Sequence, residues 1–170
     1  SIFDNGSFDF FQTAHQTLFP QQKIEALLFG YPFRETNLDA NNAYVLGLIR
    51  RYGVKALYLT RPDAGRDELE GALDRGFIGF KPYPDLAMAA DSAPSVSDYL
   101  PATAWEAAHD REAIILIHIN IQGRRLYDSH TGLELSAACR RYFKAKVIIP
   151  HLGGAFIPSW ISDGIPSAFG

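Results

Sequence analysis

His118 closes the run Ile115-Leu116-Ile117-His118, and His151 follows Val147-Ile148-Ile149-Pro150 and precedes Leu152-Gly153-Gly154. Taken singly, the first reads as a buried neutral ring bonded to a backbone carbonyl and the second as an ordinary loop histidine. Taken together they read as a pair. If both apolar runs are parallel strands, the two rings stand at corresponding ends of consecutive strands and face one cavity. Neutral imidazole there suits Zn²⁺ and similar divalent ions, and the glycines after His151 let a ligand approach closely. Lys81, in Gly79-Phe80-Lys81-Pro82-Tyr83-Pro84-Asp85, takes the same place on the preceding strand. Its bland reading is a solvated surface amine. Beside Phe80, Pro82 and Tyr83 it can instead be partly desolvated, and so grip a substrate carboxylate, carry a modification or serve as a Schiff-base nucleophile. Arg61 and Arg124 offer planar forks for an anionic substrate, though each is also an ordinary surface arginine. Asp85 is a candidate anchor for Lys81 or for a helix start; His15, His109 and His130 have nothing to recommend them.

The elements that must position these residues follow from hydrophobic patterning. Apolar runs bounded by turn residues recur at 24–29, 54–59, 77–80, 113–119 and 146–149. They are continuous rather than alternating, as strands buried on both faces of a parallel sheet are. Helices fit between them. Asn37 caps a predicted helix running to Tyr52, with Val45, Leu48, Ile49 and Tyr52 on one face and Gly53 as its stop. Further helices are predicted at 67–75, 103–111 and 133–143, and one near 5–17 precedes the first strand; 156–170 reads as loop. Alternation of this kind implies right-handed crossovers in either an open doubly wound sheet or a closed barrel. No glycine-rich phosphate loop follows any strand, whereas polar residues stand at many strand ends, and both facts favour an α/β fold of the (β/α)8 TIM-barrel type. A full barrel needs about 250 residues. The five strand-helix units counted here are therefore expected to be an interior portion of such a barrel, with residues 1–170 as a single domain.

Composition narrows the partners. At 47% hydrophobic and 21% charged residues the chain is an ordinary globule, and a net charge of -3 carries no footprint for nucleic acid. The single cysteine, Cys139, excludes an internal disulfide and reads as a small helical hydrophobe. No apolar run approaches the roughly 18 residues that span a bilayer, and the opening residues lack the basic region of a signal peptide. A cytoplasmic protein acting on a small molecule is the expectation, with no membrane partner and with self-association into a homo-oligomer left open.

The strings Gly79-Phe80-Lys81-Pro82, Leu116-Ile117-His118-Ile119 and Val147-Ile148-Ile149-Pro150-His151-Leu152-Gly153-Gly154 resemble the amidohydrolase superfamily. More narrowly, they are similar to its branch of aminocarboxymuconate semialdehyde decarboxylase and related lactone and amide hydrolases. The resemblance covers roughly 24–154, and its last string is the most specific. It implies a (β/α)8 barrel with these strings on the fourth, fifth and sixth strands. It further implies His118 as a ligand of a catalytic divalent metal, zinc being the favoured ion. His151 becomes a second ligand or the group that polarises substrate and shuttles protons, and Lys81 a residue near the metal or on the substrate. The family's other ligands, a His-x-His pair and an aspartate on the last strand, have no counterpart in this sequence. The expected activity is a metal-dependent hydrolase or non-oxidative decarboxylase acting on a small carboxylate, amide, ester or lactone. The alternative is a catalytically inactive barrel fragment serving as a binding or assembly module. A metal-free lyase using Lys81 as a Schiff-base nucleophile ranks below both.

Overall fold

The computed structural model describes residues 7–87, 94–119 and 129–154. Its elements alternate in the order the patterning predicts. Helix α1 (Phe8–Leu18) leads to strand β1 (Leu27–Leu28), then helix α2 (Leu38–Tyr52) and two short strands, β2 (Lys55–Ala56) and β3 (Tyr58–Leu59). Helix α3 (Arg66–Asp74), strand β4 (Gly79–Lys81), helix α4 (Ala102–Asp110), strand β5 (Ile114–Leu116), helix α5 (Ser129–Arg141) and strand β6 (Lys146–Ile148) complete the series. The segment expected to be loop at 156–170 lies outside the described residues.

Local chemistry sets the helix ends. The Asn37 side chain accepts a hydrogen bond from the Ala40 amide at 3.0 Å, satisfying an otherwise unpaired donor of the first turn of α2. At the other end Gly53 adopts φ 66° and donates to the Ile49 carbonyl, a left-handed stop that a side chain would resist.

All strand pairings are parallel. β1 pairs with β2, while β3, β4, β5 and β6 pair in that order. Residues 55–59 serve both sheets: the Leu57 amide donates to the Leu28 carbonyl at 2.8 Å, and the Ala56 carbonyl accepts from the Ile78 amide at 2.9 Å. Each strand segment thus lies beside its predecessor in the chain, with no reversal of order. Beyond Leu57 the partner changes. The side-chain amide of buried Asn42, on α2, accepts from the Leu59 amide at 2.9 Å and donates to the Leu59 carbonyl at 3.1 Å, standing in for a strand. The parallel α/β class is therefore present, but the closed barrel is not: among the described residues the array is open, with β1 at one edge and β6 at the other.

The core lies between this array and its helices. Leu69 and Ala72 of α3 and Ala104, Trp105, Ala107 and Ala108 of α4 are buried with Tyr58, Phe77, Phe80 and Ile115. Alanines on α4 let it approach closely, and the Trp105 ring stacks on Tyr142 at 5.8 Å. Cys139 is half-buried and packs against this core. At Gly79 the β4 backbone runs so near β5 that a Cβ would lie 2.0 Å from the Ile114 carbonyl oxygen.

Candidate active site at the strand ends

Parallel strands fed by right-handed crossovers present all their carboxyl ends at one rim. Lys81 ends β4, His118 lies two residues beyond β5, and His151 lies three residues beyond β6. The side chains meet there. The rings of His118 and His151 lie 5.3 Å apart, centroid to centroid, at an interplanar angle of 77°. Tyr83 packs on the other side of His118 at 5.0 Å, and the Lys81 Nζ sits 4.7 Å from the Tyr83 centroid and 5.6 Å from that of Phe29. Lysine, tyrosine and two histidines thus form one contiguous row across three neighbouring strands.

Each member is placed by its own local structure. The backbone carbonyl of His118 accepts a hydrogen bond from the Tyr99 hydroxyl at 3.0 Å, and Tyr99 is fully buried, so the chain beyond β5 is held from below. Tyr99 in turn follows a short 3₁₀ turn, Val96–Asp98, whose first amides donate to the Glu134 carboxylate on α5 at 3.0 and 2.7 Å. His151 opens a second 3₁₀ turn, His151–Gly154, with φ 56°. A left-handed backbone at a non-glycine residue costs on the order of 1 kcal/mol, although histidine tolerates it better than most. Such strain is found where the surrounding fold fixes a residue in place.

The electrostatics follow from burial. Lys81 is only 3% exposed, its Nζ donates to the Pro82 carbonyl at 3.3 Å, and among the described residues no carboxylate pairs with it. Desolvation lowers its amine to about 8. His118 falls to about 4, first through burial and then through the charges of its neighbours, Lys81 foremost, so its ring is neutral near pH 7 with a lone pair to offer. His151 is exposed to solvent. Burial also raises the Tyr99 phenol far above its usual value, keeping it a hydrogen-bond donor.

The remaining sequence candidates stand apart. Arg61 directs its guanidinium to Asp39 at 2.8 Å and Glu68 at 3.1 Å, with Asp63 at 3.9 Å. Those partners belong to the space between α2 and α3 and not to the imidazole pair. Asp85 anchors Arg34, whose amide donates to its carboxylate at 2.9 Å, and makes no pair with Lys81. Arg124 lies outside the described residues. Sequence reading missed the aromatic wall: Tyr31 packs on Phe33 at 4.2 Å and Phe33 on Tyr83 at 5.3 Å, which joins the loop after β1 to the site. The alternating aromatics of Phe29-Gly30-Tyr31-Pro32-Phe33 were its only signal. It also missed Tyr99, whose role depends on a contact spanning nineteen positions of sequence.

Among the described residues no group of three or more His, Cys, Asp or Glu side chains is arranged to hold a metal ion. No helix among them is long and apolar enough to cross a membrane. Compared with known proteins, the chain matches no family model and no curated protein.

Proposed function

We propose that this rim is part of the active site of a metal-dependent hydrolase or non-oxidative decarboxylase acting on a small carboxylate, amide, ester or lactone. The observation that carries the reading is the meeting of His118, His151 and Lys81 from three consecutive parallel strands, with the two imidazoles 5.3 Å apart. Two rings that each bond one ion at about 2 Å have centroids roughly 4.5–5.5 Å apart, so the pair fits as two members of a ligand set. His118 and His151 would hold the ion, with zinc the favoured metal; when bound, it supplies Lewis acidity and an acidified water. A catalytic site of this kind takes about three protein ligands, and these two rings are the ones that the described residues bring together.

The chain's own residues supply the rest. Neutral His118 keeps its lone pair free because burial disfavours protonation. Lys81 presents a positive charge between two aromatic faces, suited to one carboxylate oxygen of a substrate. In its alternative role, outside the ligand set, the exposed His151 would pass a proton between substrate and water at the mouth. The strand arrangement supports the same reading. Five segments in unbroken chain order, without the reversal that marks a doubly wound sheet, are what an arc of a (β/α)8 barrel contains.

Calorimetric titration of the protein with Zn²⁺ tests this. His118→Ala and His151→Asn are each expected to weaken binding at least about tenfold, asparagine being chosen because it tolerates the left-handed backbone at 151. Unchanged affinity in both variants would remove the metal-site reading.

A further inference from the structure

We propose that Lys81 is also a carbonyl-condensing amine, giving the rim a second chemistry that needs no metal: it takes a small aldehyde or ketone whose apolar part lies against Phe29 and Tyr83. Four observations carry this. The amine is buried at 3% exposure, at the strand end where the array presents its polar groups. Among the described residues it has no carboxylate partner, only the Pro82 carbonyl at 3.3 Å. Its flanks are the ring faces of Tyr83 and Phe29 at 4.7 and 5.6 Å, apolar surfaces against which an alkyl or aryl group would pack. The chain's other lysines, Lys23, Lys55, Lys144 and Lys146, are all exposed, and Lys55 is tied to Glu25 at 2.8 Å.

A structural lysine held in a core normally has an acid beside it, because an unpaired buried ammonium is costly. An amine kept dry without one is instead easily deprotonated, which is the condition for attack on a carbonyl carbon. Burial does lower this amine to about 8, in keeping with that geometry. In the reaction the nitrogen lone pair forms a bond to the carbonyl carbon as the C=O π pair moves to oxygen. The two amine protons then leave with that oxygen as one water molecule, and an imine remains. Nothing is oxidised or reduced, and no metal takes part.

Limited treatment of the native protein with propanal and cyanoborohydride near neutral pH reads the step directly. Hydride from the borohydride traps each imine as an N-propyl amine, and peptide mass spectrometry assigns it to a lysine. The expected result is labelling of Lys81 at least about tenfold ahead of each of the other four lysines, because each unit by which a pKa falls gives tenfold more free amine. The preference is expected to persist with EDTA present and to vanish in urea. Labelling that follows exposure, with Lys81 last, would overturn the proposal; so would a preference lost with EDTA or retained in the unfolded chain. The outcome is separate from the Zn²⁺ titration, since a protein that binds no zinc still labels at Lys81 if the proposal holds.

Discussion

A lysine ammonium removed from water is stabilised by aromatic faces, but not enough to balance the loss. Moving the Lys81 amine from 10.5 to about 8 corresponds to about 3 kcal/mol of disfavour for the charged form. Contacts with Tyr83 at 4.7 Å and with the more distant, exposed Phe29 at 5.6 Å return about 1 kcal/mol each. Lys81→Met keeps the stem volume and removes the charge, so it should raise folding stability by about 1–2 kcal/mol near neutral pH, as read from urea denaturation. A loss of stability would show that the ammonium is better compensated than its surroundings indicate. His151 makes a related point through the backbone, since its positive φ is a cost borne at the rim, as the exposed Glu112 bears one before β5. Lys81 as a site residue was legible from its string of neighbours. That its charge would go without an acid among the described residues was not, because Asp85, four positions on, turned out to serve Arg34.

The elements divide by how local their causes are. Helix α2 begins after Asn37 and ends before Gly53 as the sequence indicates, because a cap and a left-handed stop act within one turn. Helix α5 starts at Ser129, four residues before the patterning predicts, and its Glu134 reaches the distant turn that carries Tyr99. Strand extent was the least legible. The run 54–59 reads as one strand, yet it divides at Leu57 because Asn42 of α2 satisfies the backbone of Leu59 in place of β1. The register of β4 against β5 likewise rests on a glycine. Gly79→Ala would drive a methyl group into the Ile114 carbonyl and push the strands apart, with an expected cost of about 3 kcal/mol in denaturation experiments. Because β4 carries Lys81 and the chain beyond β5 carries His118, the same substitution should also slow propylation of Lys81 relative to the exposed lysines.

At the scale of the whole molecule, the buried titratable groups combine into one pH profile. His118 has its pKa lowered from 6.5 to about 4, so the unfolded chain binds the extra proton between those values and stability falls as pH drops through that window. The size of that loss, discounted for partial exposure, is about 1–2 kcal/mol. Lys81 acts with the same sign between about 8 and 10.5, where stability gains as pH rises. Tyr58, Tyr99 and Cys139 oppose it: burial raises all three, Tyr58 to about 12 with the help of the Glu68 carboxylate, so in the alkaline range the unfolded chain loses protons that the folded chain retains. Denaturation midpoints should therefore rise from pH 4 to 6.5, hold to about 8, rise again above it and then decline. In the Lys81→Met variant the gain above 8 should disappear while the acid limb stays. Survival of the alkaline gain would assign it to another group.

By itself the sequence determined the alternation of strands and helices, the parallel class, the caps of α2 and the placing of Lys81, His118 and His151 at strand ends. Those features arise from hydrophobic periodicity and from interactions within a turn or two, which a linear string records. Only the tertiary structure decided which side chains share the rim, that Arg61 is spent on Asp39 and Glu68, and that Tyr99 and Glu134 support the histidine. It also decided where the array ends among the described residues, at β1 and at β6. Partner choice among distant residues is a competition for geometry and desolvation in three dimensions, and neither the identity of a residue nor its spacing in the chain encodes the winner.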